Sequence, residues 1–290
     1  MCKKLLATKT EVHALDNLSG SVVKPQSELA GAVFHKVDLK DSKAVAKTLA
    51  EISPQTVFHY AADPNASVGA DQKRSHLNNS IIATYNVLDA MRSSGAKKFV
   101  FASTSNVYGR AQQTPTPESA PFAPISLYAA GKAASESLAS SFADNYGFTA
   151  TILRYANVVG PRSKHGVTYD FYNKLAANPS KLEVLGDGKQ EKSYIFIDDV
   201  VSATLLAAQK NSLFYNAFNV ATDDSVSVLE IARIVSSAMR LQPKITTTGG
   251  QAWKGDIARV LLDASKIKKL GWKAKCNSRQ AIEKTVEGLL

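Results

Sequence analysis

Short runs rich in β-branched and aromatic residues alternate along the chain with longer stretches whose apolar positions recur every three or four residues. That alternation predicts βαβ units feeding a parallel sheet. Val12-His13-Ala14-Leu15 reads as a strand ending at Asp16, and Val33 to Val37 as a second ending at Asp38. Strands at Thr56 to Tyr60, Lys98 to Ala102 and Thr149 to Leu153 follow, with amphipathic helices over Asp41 to Ala50, about Asp71 to Ser93, and Tyr128 to Tyr146. Ligands of such sheets collect beyond the carboxyl ends of the strands, which here carry Asp16, Asp38, Ala61-Ala62, Ser103-Thr104 and Tyr155-Ala156-Asn157. After Gly160-Pro161 the pattern loosens into a smaller, less regular lobe. Gly186-Asp187-Gly188 predicts a tight turn before a strand at Ser193 to Ile197, then a helical stretch runs from Asp198 to about Lys210. Phe218 to Val220 is a short strand, Val228 to Met239 is amphipathic, and Ser278 to Leu290 reads as a last helix. The expected class is α/β.

Within this frame, Tyr128-Ala-Ala-Gly-Lys132 carries the most chemistry. Residues i and i+4 share a helix face, so an ammonium can lie near a phenol whose ordinary pKa is about 10 and favour the phenolate. A positioned phenolate takes a proton from an alcohol while a hydride leaves carbon for an oxidant, and a short hydroxyl such as that of Thr104 can share the same oxygen. The oxidant has to be a cofactor, because no side chain accepts hydride. Alone, Tyr-x-x-x-Lys is weak evidence and more often describes a solvated helix face.

Composition narrows the classes. The apolar and charged fractions, 44% and 21%, are those of a soluble globular protein rather than a disordered one. No apolar run reaches the roughly 18 residues of a membrane span, and the start, Met1 to Ala7, is too quickly polar for a signal peptide; a cytoplasmic protein without membrane contact is expected. Cys2 and Cys276 stand far apart, and the five histidines form no ligand pair, so neither disulfide nor metal is expected. A net charge of +10 suits an anionic small substrate such as a nucleotide sugar as well as it suits nucleic acid, and no nucleic-acid partner is expected.

The ordered set of motifs resembles the extended short-chain dehydrogenases/reductases, the NAD-dependent epimerase/dehydratase group, and within it the UDP-glucose 4-epimerases. The matching elements are Leu15-Asp16-Asn17-Leu18-Ser19-Gly20, Val57 to Ala62, Asn79 with Ala83-Thr84, Ser103 to Gly109, and Tyr128 with Lys132. Leu153 to Val158, Gly186 to Gln190 before Asp198-Asp199-Val200, and Leu270-Gly271-Trp272-Lys273 complete them. The resemblance implies a Rossmann-like doubly wound sheet, NAD as cofactor, a UDP-sugar as substrate and a homodimer. It implies two lobes: 1–158 with about 193–222 for NAD, and about 159–192 with 223–290 for the nucleotide sugar. By it, Asp16 binds the adenosine ribose and disfavours a 2′-phosphate, and Asn17, Asp38 and Leu39 lie at the adenosine end. Tyr60, Ala61, Ala62, Asn79, Ala102, Ser103 and Tyr155 join the cofactor site, with Lys132 on the nicotinamide ribose. Thr104 and Tyr128 address the sugar hydroxyl, while Asn157, Lys192 and Asp256 meet the rest of the nucleotide sugar. Related 4,6-dehydratases carry acidic residues directly after the threonine, and related decarboxylases a glutamate two positions on. Ser105 and Asn106 stand here, so the implied reaction stops at reversible oxidation and reduction, which is 4-epimerisation of UDP-glucose and UDP-galactose. Another nucleotide-sugar epimerase, for example one acting on a uronic acid, stays open, as does a cofactor-poor binding or regulatory module.

Two departures stand out. The family's first strand and G-x-x-G-x-x-G turn should precede Asp16, yet Cys2 to Glu11 reads as the second half of the helix that follows that turn. A late start site, a fragmentary gene or a genuine variant would each explain this, and the first two are favoured. In the usual 3-2-1-4 order, the strand without a counterpart lies between those at Val12 and Thr56, so two sheet edges are expected to lack a partner. Trp253 stands where relatives have an arginine three residues before Asp256, with Lys254 or Arg259 as substitutes.

Overall fold

The computed structural model describes residues 1–20, 29, 31–63, 76–253 and 256–290. The start of the helix expected from about Asp71, and Lys254 and Gly255, lie outside them. The chain divides into two compact units: Met1–Phe101 with Gly131–Thr151 and Ser212–Asn216, and Ala102–Ala130 with Ile152–Asn211 and Ala217–Leu290. That division cuts within strands and is a different partition from the lobes expected along the sequence.

The first unit contains α1 (Cys2–Leu6), β1 (His13–Asp16), β2 (Val33–Lys36), α2 (Ser42–Ile52), β3 (Thr56–His59) and α3 (Ala83–Ser94), which continues a π-helical turn at Leu77–Ile82. β1 and β2 pair in parallel with Asp16 opposite Lys36, and they form a sheet of their own. β3 ends a separate four-stranded sheet of order β10-β5-β4-β3, where β4 is Lys98–Thr104, β5 Thr149–Tyr155 and β10 Tyr215–Val220. Among the described residues no strand bridges β1 and β3, so the two expected edges are present. Parallel strands are normally covered on both faces, and β4 follows that rule: Phe99, Val100 and Phe101 are all buried. Asp41 starts α2 by accepting from the backbone N–H groups of Lys43 and Ala44, the usual role of a carboxylate at an N-cap. α2 buries Val45 and Leu49 and packs on α3, which buries Val87, Leu88 and Met91. Asn86 of α3 donates to the carbonyls of Leu39 and Lys40 (2.8 and 3.2 Å), which holds the loop after β2 in place.

The helix α4 (Leu127–Tyr146) is rich in small residues on its buried side. At Gly131 a Cβ would stand 3.1 Å from the Cβ of Ser80, so the helix lies close against the π-helical turn that carries Asn79.

The second unit adds β6 (Asn157–Val159), α5 (Val167–Ala177), β7 (Lys181–Val184), β8 (Glu191–Lys192), β9 (Tyr194–Phe196), α6 (Ile197–Lys210), β11 (Val226–Ser227), α7 (Val228–Ala238), β12 (Lys244–Thr247), β13 (Arg259–Val260), α8 (Ser265–Lys268) and α9 (Ser278–Glu287). Phe171, Leu175, Leu182, Ile231, Val235 and Ile282 fill one core there, each worth roughly 1.5 to 3 kcal/mol on burial. α9 opens with a capping box in which Asn277 and Gln280 each satisfy the other's backbone N–H. Among the described residues no helix is long and apolar enough to cross a membrane, and no group of His, Cys, Asp and Glu could hold a metal ion.

Candidate active site

β4 delivers Thr104 at its carboxyl end. Thr104 caps the 3₁₀ turn Ser105–Tyr108, its hydroxyl oxygen accepting from the Asn106 N–H at 3.2 Å. Ser105 is buried in that turn, and neither it nor Asn106 brings a carboxylate. Tyr128 sits in the first turn of α4, where the Ser126 hydroxyl oxygen accepts from Ala129 N–H at 3.2 Å and its carbonyl from Ala130 N–H at 2.9 Å. The side chains of Thr104 and Tyr128 hydrogen-bond to each other.

Burial pushes the Tyr128 phenol above its ordinary value, and the Thr104 hydrogen bond only partly opposes this. That differs from the phenolate-favouring cation expected from the i, i+4 spacing. The physical reason is that desolvation of the charged form outweighs the favourable contact. One turn on, Lys132 is buried, its Nζ 4.6 Å from the centre of the Phe101 ring. Burial lowers its pKa to about 8, and Glu136 on the same helix face acts against that fall. At neutral pH the amine is therefore mainly charged.

Two residues of this environment were not singled out from the sequence. Glu136 is almost fully buried and accepts from the Tyr215 hydroxyl at 3.1 Å; its signal was a carboxylate four residues after Lys132. His59 was visible only as part of Val57 to Ala62. Its ring packs on Phe99 and Phe101, and Nε2 lies 3.0 Å from the Thr84 hydroxyl. Because Thr84 donates its own proton to the Ser80 carbonyl at 2.5 Å, the His59 Nε2 carries the hydrogen of this pair. Burial, with the Lys132 charge adding to it, pulls His59 down to about 3.

That shift has a testable sign. Between about 3 and 6.5 the unfolded chain binds a proton at this position and the folded one does not. Stability is therefore lost as pH falls through that window, by about 1.4 kcal/mol per pH unit. His59→Gln, neutral throughout, is expected to show a flatter dependence than the parent in guanidinium melts between pH 6 and 4. Equal slopes would remove the assignment.

Among the residues expected at the adenosine end, Asp16 stands exposed at the end of β1 and accepts from the Leu18 N–H at 2.6 Å. Burial acts to raise the Asp38 carboxyl, but hydrogen bonds from the Lys40 backbone and the Asn17 and Lys40 side chains outweigh it and hold the group below the usual range. Asn17 and Asp38 are thus brought together, with Leu39 beside them. Tyr60 and Ala61 are exposed after β3, Ala62 and Asn79 are half-buried, Ala102 is half-buried and Ser103 is buried. Tyr155 is buried, and its hydroxyl meets that of Thr204 at 2.7 Å, a bond inside the second unit. Asn157 donates to the Ser193 carbonyl at 3.2 Å. Lys192 and Asp256 form an ion pair of 2.7 Å, with the Lys192 ammonium 5.0 Å from the centre of the Trp253 ring, so the residue standing in the arginine position holds the lysine by its π face.

With this geometry in hand, the family model for "NAD dependent epimerase/dehydratase family" matches residues 1–221 of the chain. The chain belongs to that family. A solved UDP-galactose 4-epimerase is 40% identical, with 99% of this chain and 93% of that one covered and a TM-score of 0.88. The Thermus thermophilus UDP-glucose 4-epimerase, solved in complex with NAD, is 32% identical over the same shares at a TM-score of 0.88. The UDP-glucose 4-epimerase of Mycolicibacterium smegmatis is 30% identical across 98% of this chain and 92% of its own.

The residues present fit the cofactor of this NAD-dependent epimerase/dehydratase family at both ends. An exposed carboxylate at a strand end, Asp16, is the acceptor a ribose diol needs, and Lys132 offers a charged amine one helical turn after Tyr128. The glycine-rich turn that would offer backbone N–H groups to the pyrophosphate has no counterpart in this sequence.

Proposed function

We propose that the chain is an NAD-dependent nucleotide-sugar 4-epimerase that interconverts UDP-glucose and UDP-galactose. The observation that carries this reading is the Thr104–Tyr128 hydrogen bond one helical turn before a charged, buried Lys132, followed by Ser105 and Asn106 in place of any carboxylate. NAD, when bound, supplies a reversible acceptor for the hydrogen on C4 of the sugar. Tyr128 is the group that takes the proton from the C4 hydroxyl and later returns it. Thr104, already sharing that oxygen's neighbourhood, orients the hydroxyl. Lys132 keeps a positive charge nearby and helps the phenolate form, against the burial that holds the phenol up. Ser105 and Asn106 stand after Thr104 where a carboxylate would be needed to expel water or carbon dioxide, so the ketone formed at C4 is left to its own reduction. Asp16, Asn17, Asp38 and Leu39 would hold the adenosine end of NAD and Lys132 its nicotinamide ribose, with Tyr60, Ala61, Ala62, Asn79, Ala102, Ser103 and Tyr155 around it. Asn157, Lys192 and Asp256 would hold the nucleotide of the substrate.

The test is interconversion of UDP-glucose and UDP-galactose by the purified protein supplied with NAD, with UDP-glucuronate as a parallel substrate. Turnover of the first pair that Tyr128→Phe removes supports the proposal. Turnover of the uronate alone would move the substrate assignment, and no turnover of any would end it.

A cytoplasmic setting in galactose metabolism is part of the same proposal, and so is a homodimer. The dimer is supported by an outward aromatic cluster on α3 and α4, where Tyr85 and Tyr146 are exposed, the Phe142 ring lies 5.6 and 5.3 Å from theirs, and Arg92 covers Tyr146. Sedimentation at twice the 31.1 kDa chain mass is expected, and a monomer mass would contradict it.

A further inference from the structure

We infer that Glu136, anchored by the hydroxyl of Tyr215, is the positioning residue that keeps Lys132 charged in its buried place. The inference rests on the proposed role of Lys132, but not on which sugar is turned over. Glu136 is 1% exposed, and a carboxylate that deep in a helix face is costly unless cations and donors satisfy it. Its donor is the Tyr215 hydroxyl, 3.1 Å from Oε2, reaching from the first residue of β10 across 79 positions of sequence. Its cation is Lys132, one helical turn before it, which is 3% exposed. The two buried groups stand at i and i+4 on one helix face, so the carboxylate can favour the charged form of the amine.

Phe101 and His59 also interact with Lys132, and neither is an anion. From β4, Phe101 offers the face of its ring at 4.6 Å, which favours a cation but does not neutralise it. From β3, His59 is neutral at neutral pH, because burial and the Lys132 charge oppose its protonation. On its own helix, Tyr128 is a phenol that burial keeps protonated in the ligand-free chain. Glu136 is a carboxylate that opposes desolvation of the amine, and the direction of its effect on Lys132 is upward.

The role is read directly from the lysine. Protein labelled with ¹³C at the lysine ε-carbon, with the Lys132 signal assigned by its loss in Lys132→Met, gives the amine's titration midpoint without NAD, substrate or turnover. The parent is expected to titrate near 8. In Glu136→Gln the midpoint is expected to fall by about one pH unit or more, and in Glu136→Asp, which keeps the charge one methylene further away, to lie between the two. Turnover should follow the same order: at pH 6.5 Glu136→Gln stays within about threefold of the parent, while at pH 8.5 it falls about tenfold, because the ammonium is lost at lower pH. Identical Lys132 midpoints in parent, Asp and Gln variants would overturn the inference. So would a Gln variant whose activity falls by one factor at every pH, since that is the mark of a residue that only supports packing. If the Gln variant does not fold, the parent and Asp midpoints still decide. An inactive parent whose Lys132 midpoint nevertheless shifts in the variants would reject the epimerase reading and leave this one standing.

Discussion

Replacing Tyr128 by phenylalanine is expected to lower epimerase turnover about a thousandfold while leaving the fold and NAD content unchanged. The substitution removes one oxygen. The ring stays half-buried in the first turn of α4, where the Ser126 contacts that start the helix do not involve it. In the proposed mechanism the oxygen lost is the group that exchanges a proton with the C4 hydroxyl, and general acid–base groups contribute about 10² to 10⁴ in rate, or roughly 3 to 5 kcal/mol of barrier. Thr104 is left with its bond to the Asn106 N–H, but a hydroxyl with an ordinary pKa well above that of a phenol is a poor base at neutral pH. The measurement is steady-state turnover with NAD in excess, paired with the 260 nm to 280 nm absorbance ratio of the purified protein. A Phe variant within tenfold of the parent would mean that another group carries the proton.

Gly109→Ala is expected to destabilise the chain by about 3 kcal/mol or more. Gly109 closes the turn that Thr104 opens, at φ 56° and ψ −129°, a backbone conformation that side chains with a Cβ rarely adopt. A Cβ there would stand 1.8 Å from the Ala123 carbonyl oxygen and 2.9 Å from its carbon. That carbonyl cannot simply step aside, because Ala123 is tied to the same turn by its N–H bond to the Val107 carbonyl at 3.0 Å. Strain of this kind costs about 1 to 3 kcal/mol for the backbone alone, and the clash adds to it. Gly95 is the matched control. It also has positive φ, 78°, but nothing lies within 4 Å of its added Cβ, so Gly95→Ala is expected to cost about 1 kcal/mol. Denaturant melts of the two variants compare them directly, and equal losses would show that the contact with Ala123 is not the source.

Much of this architecture could be read along the chain. The helices expected at Asp41 to Ala50 and Tyr128 to Tyr146 are found at Ser42–Ile52 and Leu127–Tyr146, because their apolar spacing and, for the first, the capping Asp41 are local signals. The motif residues Thr104, Tyr128 and Lys132 were likewise legible, since two of them share one helix and the third ends a strand. The paired strands Lys181–Val184 and Lys244–Thr247 were not, because four residues are too short a stretch to establish a period. The setting of Lys132 was hidden for a different reason. Its surroundings come from β3, β4 and β10, and a contact such as Tyr215 to Glu136 leaves no mark in spacing. The direction of the Tyr128 shift was hidden too: the sequence places a cation one turn away, but burial, which decides the sign, is a property of the packed chain.

The most direct measurement follows the hydrogen on C4. UDP-galactose carrying deuterium at that carbon is incubated with the NAD-supplied protein in ordinary water, and the UDP-glucose formed is examined by NMR. Deuterium is expected to remain on C4 of the product, because in the proposed mechanism the carbon-bound hydrogen is removed and returned without exchange with water while only the hydroxyl proton passes through Tyr128. Product that has lost its deuterium to water, or no UDP-glucose at all, would contradict epimerisation by reversible oxidation at C4.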